Sequence, residues 1–393
     1  MITLLIVIYL SFISLGLPDS MLGAAWPAIA GGMGLAAADL GLVSMIVTLG
    51  TVISSLMSNR LIRAMGTGRV MILSVLITAI VLLMFSFAGS YLVLCMLALP
   101  LGLGGGSVDA ALNGFVARNY KASHMNWLHC MWGVGATISP IIMGANLRGD
   151  MGWPGGYRTV ALLQGILFAI LLISLPLWRH ADKNDPLASG GGKHISNSRA
   201  LRTPGLNTAM AAFACFVGFE AIAGVWAATF LEGSKGFDPA SAAFLASLYY
   251  LGTTIGRAVS GLIAIKVNSR RLIRWGCLLA TLGALLLALP LPRSFSLAAY
   301  VLLGLGNAPI YPAMIHLTPQ RFGVAVSQAA MGLQMAAAYT GSTLLPPLTG
   351  VLVRAISLDV VPYIVLVLII LGYVLSQLID KRTEPATAGA PGL

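Results

Sequence analysis

Runs of about twenty apolar residues recur along this chain, and that length carries one helix across the ~30 Å hydrocarbon core of a bilayer. Lipid offers the backbone no water to bond, so helices that satisfy themselves internally are the natural outcome. The runs predict helices near 2–30, 38–58, 70–88, 91–117, 125–146 and 158–178, then near 206–231, 239–265, 272–291, 295–318, 324–352 and 359–379. Composition closes off the alternative. Only 9% of the residues are charged, against about 25% in an ordinary soluble domain. A soluble fold of 393 residues would have almost nothing from which to build a surface. The 45 glycines suit membrane helices, which pack closely where side chains are small. The expected fold is all-α and membrane-embedded, with twelve transmembrane helices in two pseudo-symmetric six-helix bundles.

A polar stretch from Arg179 to Thr203, with Lys183, Lys193, Arg199, Arg202 and the glycines at 190–192, divides the chain near its midpoint. It reads as a solvated linker. The expected organisation is a six-helix bundle over 1–179, a cytoplasmic linker over 180–204, a second bundle over 205–380, and a cytoplasmic tail over 381–393. The segment Gly50–Leu56 resembles Gly256–Leu262, and each precedes a short basic loop. That gives a repeat offset of 206 residues, from Gly50 to Gly256, as a duplicated six-helix unit requires.

The net charge of +11 does not point to nucleic acid, because the basic residues sit in short clusters between apolar runs. One set of loops holds Arg60, Arg63, Arg69, Arg118, Lys121, the linker, Lys266, Arg270, Arg271, Arg274, Arg321, Lys381 and Arg382. The opposite set holds only Arg148, Arg158, Lys235, Arg293 and Arg354. The positive-inside rule then predicts a multi-pass protein of a bacterial-type inner membrane with both termini cytoplasmic. The N-terminus enters its apolar run with no basic n-region and no small-residue cleavage site, so it reads as a signal-anchor helix. The cysteines Cys95, Cys130, Cys215 and Cys277 stand apart in apolar stretches and read as buried packing residues, not a disulfide or metal site.

Twelve carboxylates occur, and nine of them fall in predicted loops or tails. The other three, Asp19, Asp109 and Glu220, fall inside predicted membrane helices. An ionisable group there costs about 2.5–3.5 kcal/mol on insertion scales and ordinarily faces a cavity; the plainer reading is a carboxylate that reaches interfacial water. Asp19 lies among Gly16, Pro18, Gly23 and Pro27, which weaken the helical hydrogen-bond ladder. Asp109 and Asn113, spaced i, i+4, share a helix face after the glycines at 102 and 104–106. No strand precedes those glycines and no lysine follows them, so they are not a phosphate-binding loop. Desolvation disfavours the charged form of a carboxylate, the property a proton-coupling group requires. Glu220 lies between Gly218 and Gly224. Arg257, near the inner end of its helix, either reaches the interface or pairs with a carboxylate between helices.

Other polar and aromatic residues collect in central helices: Trp127, His129 and Trp132 in the fifth, Asn307 and Tyr311 in the tenth, Gln328, Gln334 and Tyr339 in the eleventh. Singly, each is more often a packing residue than a ligand contact. Together they suit a polar ligand with apolar C–H faces, such as a sugar. His129 has no histidine partner at ligand spacing, and no nucleophilic triad is apparent, so no cofactor, metal or enzymatic activity is expected.

At this point the chain resembles the major facilitator superfamily, and within it the fucose/galactose/glucose–proton symporter branch. The matching stretches are Leu17–Ser20, Asp109–Val116, Leu128–Ala136, Gly218–Glu220, Gly256–Arg257 and Gly304–Pro312. The resemblance implies a major-facilitator-type fold, with Asp19 contacting sugar and Asp109, beside Asn113, tied to proton coupling. Asp109 stands where that branch more often has Glu, and His129 and Trp132 replace its fifth-helix Gln and Asn. The stretch Arg63–Arg69 keeps the glycines and basic residues of the superfamily's loop motif without its aspartate.

The reading that follows is a monomeric proton-coupled symporter of a small polar solute, most simply a monosaccharide. Asp109, Glu220 and Asp19 are its proton-coupling candidates. Asp19, Asn113, His129, Trp132, Glu220, Asn307, Tyr311, Gln334 and Tyr339 are its substrate-binding candidates, and Arg63, Arg69 and Arg257 its gating candidates. The rivals are a proton-coupled exporter of amphipathic compounds, which sugars would leave unaffected, and a non-transporting membrane receptor. The absence of a large soluble segment in this sequence counts against the receptor.

Overall fold

The computed structural model describes residues 2–120, 122–182, 197–264 and 266–383. Among these no strand occurs. The chain runs through α1 (Ile2–Met33), α2 (Leu40–Met65), α3 (Thr67–Phe85), α4 (Tyr91–Asn119), α5 (Ala122–Arg148) and α6 (Gly152–Asp182). After the short α7 (Asn197–Ala200) come α8 (Leu206–Val225), its continuation α9 (Ala227–Gly233), α10 (Pro239–Ile263) and α11 (Ser269–Ala288). The chain ends in α12 (Phe295–Asn307), its continuation α13 (Ile310–Phe322), α14 (Val324–Ala355) and α15 (Val360–Thr383). Counting α8–α9 and α12–α13 as one crossing each gives twelve membrane-length segments among the described residues. Ten of them combine span length with high hydropathy; α10 and α14 have the length, with apolar content diluted by Ser, Thr, Gly and, in α10, Arg257. Leu56, Phe87, Ile173 and Leu262 stand exposed on the outside, as a lipid-facing surface requires.

The structure departs from the apolar-run reading at several points. The basic loop expected over 59–69 is mostly helix, because Gly66 at φ 82° turns the chain in a single residue between α2 and α3. The tenth crossing is broken, not continuous. Pro309 and Pro312 have no N–H to give to the carbonyls four residues earlier. Arg321 and Asp380 are not loop residues either. The Arg321 side chain is 0% exposed, and its Nη2 lies 2.9 Å from Asp380 Oδ1 on α15, which Arg270 of α11 also approaches at 3.3 Å. The expected linker over 180–204 and tail over 381–393 fall largely outside the described residues.

The two halves pack in matched pairs. The contacts α1 with α5, α2 with α4, α3 with α4 and α3 with α6 recur as α8 with α14, α10 with α12, α11 with α12 and α11 with α15. Between the halves, α5 packs on α10 and α2 on α14. Glycines fix the register. A Cβ at Gly50 would meet Leu99 O, Leu103 N and Gly102, and one at Gly252 would meet Val301 O, Leu305 N and Gly304. A Cβ at Gly102 would strike Val47 O, and one at Gly304 would strike Tyr249 O. Every pair gives an offset of 202 residues, the difference between Gly50 and Gly252. The sequence offset of 206 was one helical turn too long.

Such close approach makes small residues obligatory there. We expect Gly102→Ala, whose added carbon has no room against α2, to destabilise the protein by about 1–3 kcal/mol through overpacking. Gly32→Ala, with nothing within 4 Å of its added carbon, should be neutral. Melting temperatures of both variants in detergent check this, and equal values would contradict the assigned contact.

Candidate functional site

The site begins with how α1 is held. Pro18 cannot donate to the carbonyl of Ser14, four residues earlier. That carbonyl instead accepts Gln164 Nε2 from α6 at 2.8 Å, and Gln164 Oε1 accepts the Ser14 hydroxyl. Pro140 frees the carbonyl of Ala136 on α5 in the same way, and it accepts the Ser20 hydroxyl at 2.8 Å. Two prolines on different helices thus provide the polar anchors that set the rotation of α1. The result is visible in burial: from Ser11 to Ile29, Asp19 is the one exposed residue on the helix. An exposed side chain halfway along an otherwise covered helix faces an internal cavity.

Around Asp19 the polar groups form one layer. Asp19, Asp109, Trp132, Glu220, Arg257, Tyr311 and Tyr339 stand about 20–27 Å along their helices from the end that carries Asp39, at 1.5 Å per residue. Trp132 Nε1 donates to Asp19 Oδ2 at 2.7 Å. The Arg257 guanidinium sits 5.1 Å from the centre of the Trp132 ring, and its Nη2 bonds Glu220 Oε1 at 3.1 Å. Of the two readings for Arg257, the structure thus gives pairing with a carboxylate. Tyr249 donates to the Glu220 carbonyl at 3.3 Å, and Tyr250 meets Trp132 edge-on at 6.4 Å. On the other side of the cavity, Asn113 Nδ2 donates to Asp109 Oδ1 at 2.8 Å. The Tyr339 hydroxyl reaches Ser55, which itself donates to Gly106 O at 3.0 Å. Asp109 lies within electrostatic reach of Asp19, Tyr311 and Tyr339. Three carboxylates therefore share the layer with a single guanidinium among the described residues.

The internal symmetry relates these groups. On α1 and α8 the offset is 201 residues, from Ile13 to Ala214, the carbonyls that abut Gly135 and Gly341. This makes Glu220 the counterpart of Asp19. With the offset of 202, Tyr311 is the counterpart of Asp109, and Arg257 that of Ser55. On α5 and α14 the offset is 206, from Gly135 to Gly341, so Tyr339 matches Gly133, next to Trp132. The Trp132–Arg257 and Tyr339–Ser55 contacts are therefore equivalent junctions between the halves, one charged and one neutral.

The remaining candidates separate. His129 is partly buried, edge-on to Phe12 at 5.8 Å. Trp127 is 53% exposed. Tyr311 donates to Met335 Sδ at 2.6 Å. Asn307 is buried at the α12–α13 break, and Gln334 is buried against Thr318 at 2.8 Å, so neither lines the exposed cavity. Arg69 is exposed in the first turn of α3. The side chains of Arg63 and Gln328 lie outside the described residues. No group of three His, Cys, Asp or Glu among the described residues is placed to hold a metal ion. Sequence reasoning missed Ser55, Gln164 and Tyr250. The freed carbonyls at Ser14 and Ala136 could have been read from Pro18 and Pro140, but not their partners.

From this layer the contacts between the halves continue toward the end that carries Asp39. Asp39 accepts Arg354 from the far half and the Ala36 backbone N–H at 3.0 Å, while its carbonyl accepts Tyr91 at 3.0 Å. Nearby, Gly41 lies on Pro347, Gly350 on Ala38, Gly23 on Val225 and Gly144 on Ala240, each without space for a Cβ. Within the second half, Trp226 Nε1 donates to Pro346 O at 3.3 Å. None of these pairings was legible in the sequence.

Comparison with known proteins follows this geometry. The family profile of the Major Facilitator Superfamily matches residues 8–293 and again 208–392. The chain belongs to the major facilitator superfamily. Among curated relatives of this family member, Bypass of stop codon protein 6 of Saccharomyces cerevisiae is 22% identical over 92% of this chain and 79% of its own. An uncharacterised transporter, y4wD, of Sinorhizobium fredii is 24% identical over 86% of this chain and 88% of its own. Two solved structures share the fold. A mutant of the nucleoside transporter NupG superposes with a TM-score of 0.74, 14% identical over 96% of this chain and 99% of its own. A bacterial homologue of the human lysosomal transporter Spinster, inward-facing and occupied, gives 0.69, 14% identical over 97% of both chains. The superfamily's fold, a multi-pass helical transporter scaffold, is thereby shown for this chain.

The proline-released anchors make a direct prediction. Gln164→Leu strands the Ser14 carbonyl in an apolar setting, which should cost about 1–3 kcal/mol. The melting temperature should fall, because α1 loses its polar anchor to α6. An unchanged melting temperature would show that Gln164 does not hold α1.

Proposed function

We propose that this protein is a proton-coupled secondary transporter of a small, hydroxyl-rich polar solute, a monosaccharide or related polyol, working by alternating access. The observation that carries the reading is the exposed Asp19 carboxylate at mid-depth, held from one side by an indole N–H and flanked by Trp132 and Tyr250. Trp132 engages one oxygen of Asp19, and a solute hydroxyl that enters the cavity can donate to the same carboxylate. The Tyr250 ring suits the C–H face of a sugar ring, as in pockets that mix apolar walls with a few placed polar groups. Asn113 steadies the Asp109 carboxylate from one side, and Asp109 senses Asp19 electrostatically. A proton taken up at Asp109 removes a negative charge near the solute carboxylate and changes the relative stability of the two conformations. That differential is what any coupled transition requires.

Glu220, as the counterpart of Asp19, serves chiefly to seat Arg257, with solute contact secondary. The charge bias of the loops supports placing both termini in the cytoplasm of a bacterial-type cell. The halves are joined at the Asp39 end, which this orientation makes the outer end, so this conformation is closed toward the outside. A monomer is sufficient for this mechanism. The expected bundles over 1–179 and 205–380 act as the two rocking bodies.

The test is solute-driven proton movement in proteoliposomes containing the purified protein, with a panel of hexoses, pentoses and polyols. One or more of them should alkalinise the outside medium. Asp109→Asn should abolish the proton signal while keeping solute exchange. Silence with every sugar, from protein shown to be folded, would overturn the symport reading and favour export of amphipathic compounds.

A further inference from the structure

Trp132 engages both halves at once. Its N–H donates to Asp19 on α1, in its own half, at 2.7 Å. Its ring face carries Arg257 of α10, in the other half, at 5.1 Å, and Arg257 holds Glu220 at 3.1 Å. The series Asp19, Trp132, Arg257, Glu220 therefore links two symmetry-equivalent carboxylates through two side chains. At the equivalent junction, Tyr339 meets Ser55 with no charge on either group. Within this layer, the charged junction lies on the α5–α10 side.

A tryptophan side chain has two rotatable bonds, and two restraints on one rigid ring determine its orientation. The bond to Asp19 is charge-assisted, which makes it strong while the carboxylate accepts it and weak once another donor competes. The stacking of Arg257 depends on the ring lying face-on beneath the guanidinium. Whatever loosens the first contact therefore unseats the second. We propose that Trp132 is a positioning residue that transmits the occupancy of Asp19 to the docking of the two halves, and is not itself a solute contact. A solute hydroxyl arriving at Asp19 competes for its oxygen, frees the indole, and releases Arg257 from its seat across the junction. This inference rests on the reading of Asp19 as the solute-binding carboxylate, and goes beyond it by assigning the route from that carboxylate to the opposite half.

The experiment uses the full chain in nanodiscs with Ala38→Cys as reporter, since Ala38 lies against Gly350 at the closed end. Maleimide labelling then reads how often that end opens. The solute-free arm removes the charge that strengthens the Trp132 bond, with Asp19→Asn, whose neutral amide oxygen is the weaker acceptor. It should change the labelling rate by about threefold or more with Trp132 present, and by less than about 1.5-fold in Trp132→Phe, the signature of two coupled sites. Phe keeps a ring face for Arg257 and removes the N–H. Trp132→Gln keeps a donor and removes the face, and should likewise lose the response to Asp19→Asn. An equal effect of Asp19→Asn in all three backgrounds overturns the proposal, as does a response retained by Trp132→Gln. In the transport arm, Trp132→Phe should lower the maximal rate by about tenfold with KM within about threefold, whereas a rise in KM alone would make Trp132 a solute contact and overturn it. If no sugar moves protons through the unaltered protein, the symport reading fails, and the solute-free arm still decides the role of Trp132.

Discussion

Charge at bilayer depth governs this structure. Each ionisable group placed there costs about 2.5–3.5 kcal/mol on insertion scales unless a cavity or a partner relieves it. The chain places three carboxylates and a guanidinium in one layer, and the bundle is arranged to make that tolerable. Arg257 lies between Glu220 and the Trp132 ring, Asp109 has Asn113, and Asp19 has the indole N–H and the open cavity. The apolar exterior, the glycine-mediated contacts and the proline-released carbonyls all bring those helices to a common depth. A second buried pair, Arg321 with Asp380, ties α13 to α15 away from the cavity, so burial of charge here is not by itself a mark of the transport site.

Duplication explains the layout, and departure from symmetry explains its chemistry. Equivalent backbone contacts at Gly50 and Gly252, and at Gly102 and Gly304, show two copies of one packing unit. The same relation sets Asp19 opposite Glu220, but only Glu220 acquired an arginine, because the residue equivalent to Arg257 is Ser55. Asp109 faces a counterpart, Tyr311, that carries no charge. One half therefore keeps carboxylates with no cationic partner among the described residues, while the other pairs its own with Arg257.

Much of the fold was legible because its signal is local. Apolar runs fix the helices, and a carboxylate within a run announces itself, as Asp19, Asp109 and Glu220 did. What escaped was set by partners far along the chain. Asp380 read as a tail residue because its partner Arg321 lies on another helix, 59 residues earlier. The repeat register slipped by a turn because α10 carries glycines at both 252 and 256, and only backbone contact distinguishes them. Asn307 and Gln334 are buried in this conformation, which residue type could not show, since helix rotation depends on neighbours that no single helix encodes. Tyr250 and Gln164 sit in stretches with no local mark at all. The pairing of Asp39 with Arg354, which closes one end, is equally silent in the sequence.

The central claim is that the polar layer opens to one side at a time, with the Asp39–Arg354 end closed in the conformation described. Pulsed electron resonance between spin labels at Gly32→Cys and Ser357→Cys, one on each half at that end, measures this directly. The account predicts a single short distance without solute, joined by a longer one whose population changes with solute and with pH. One distribution, unmoved by every solute and every pH at which transport is measured, would contradict it.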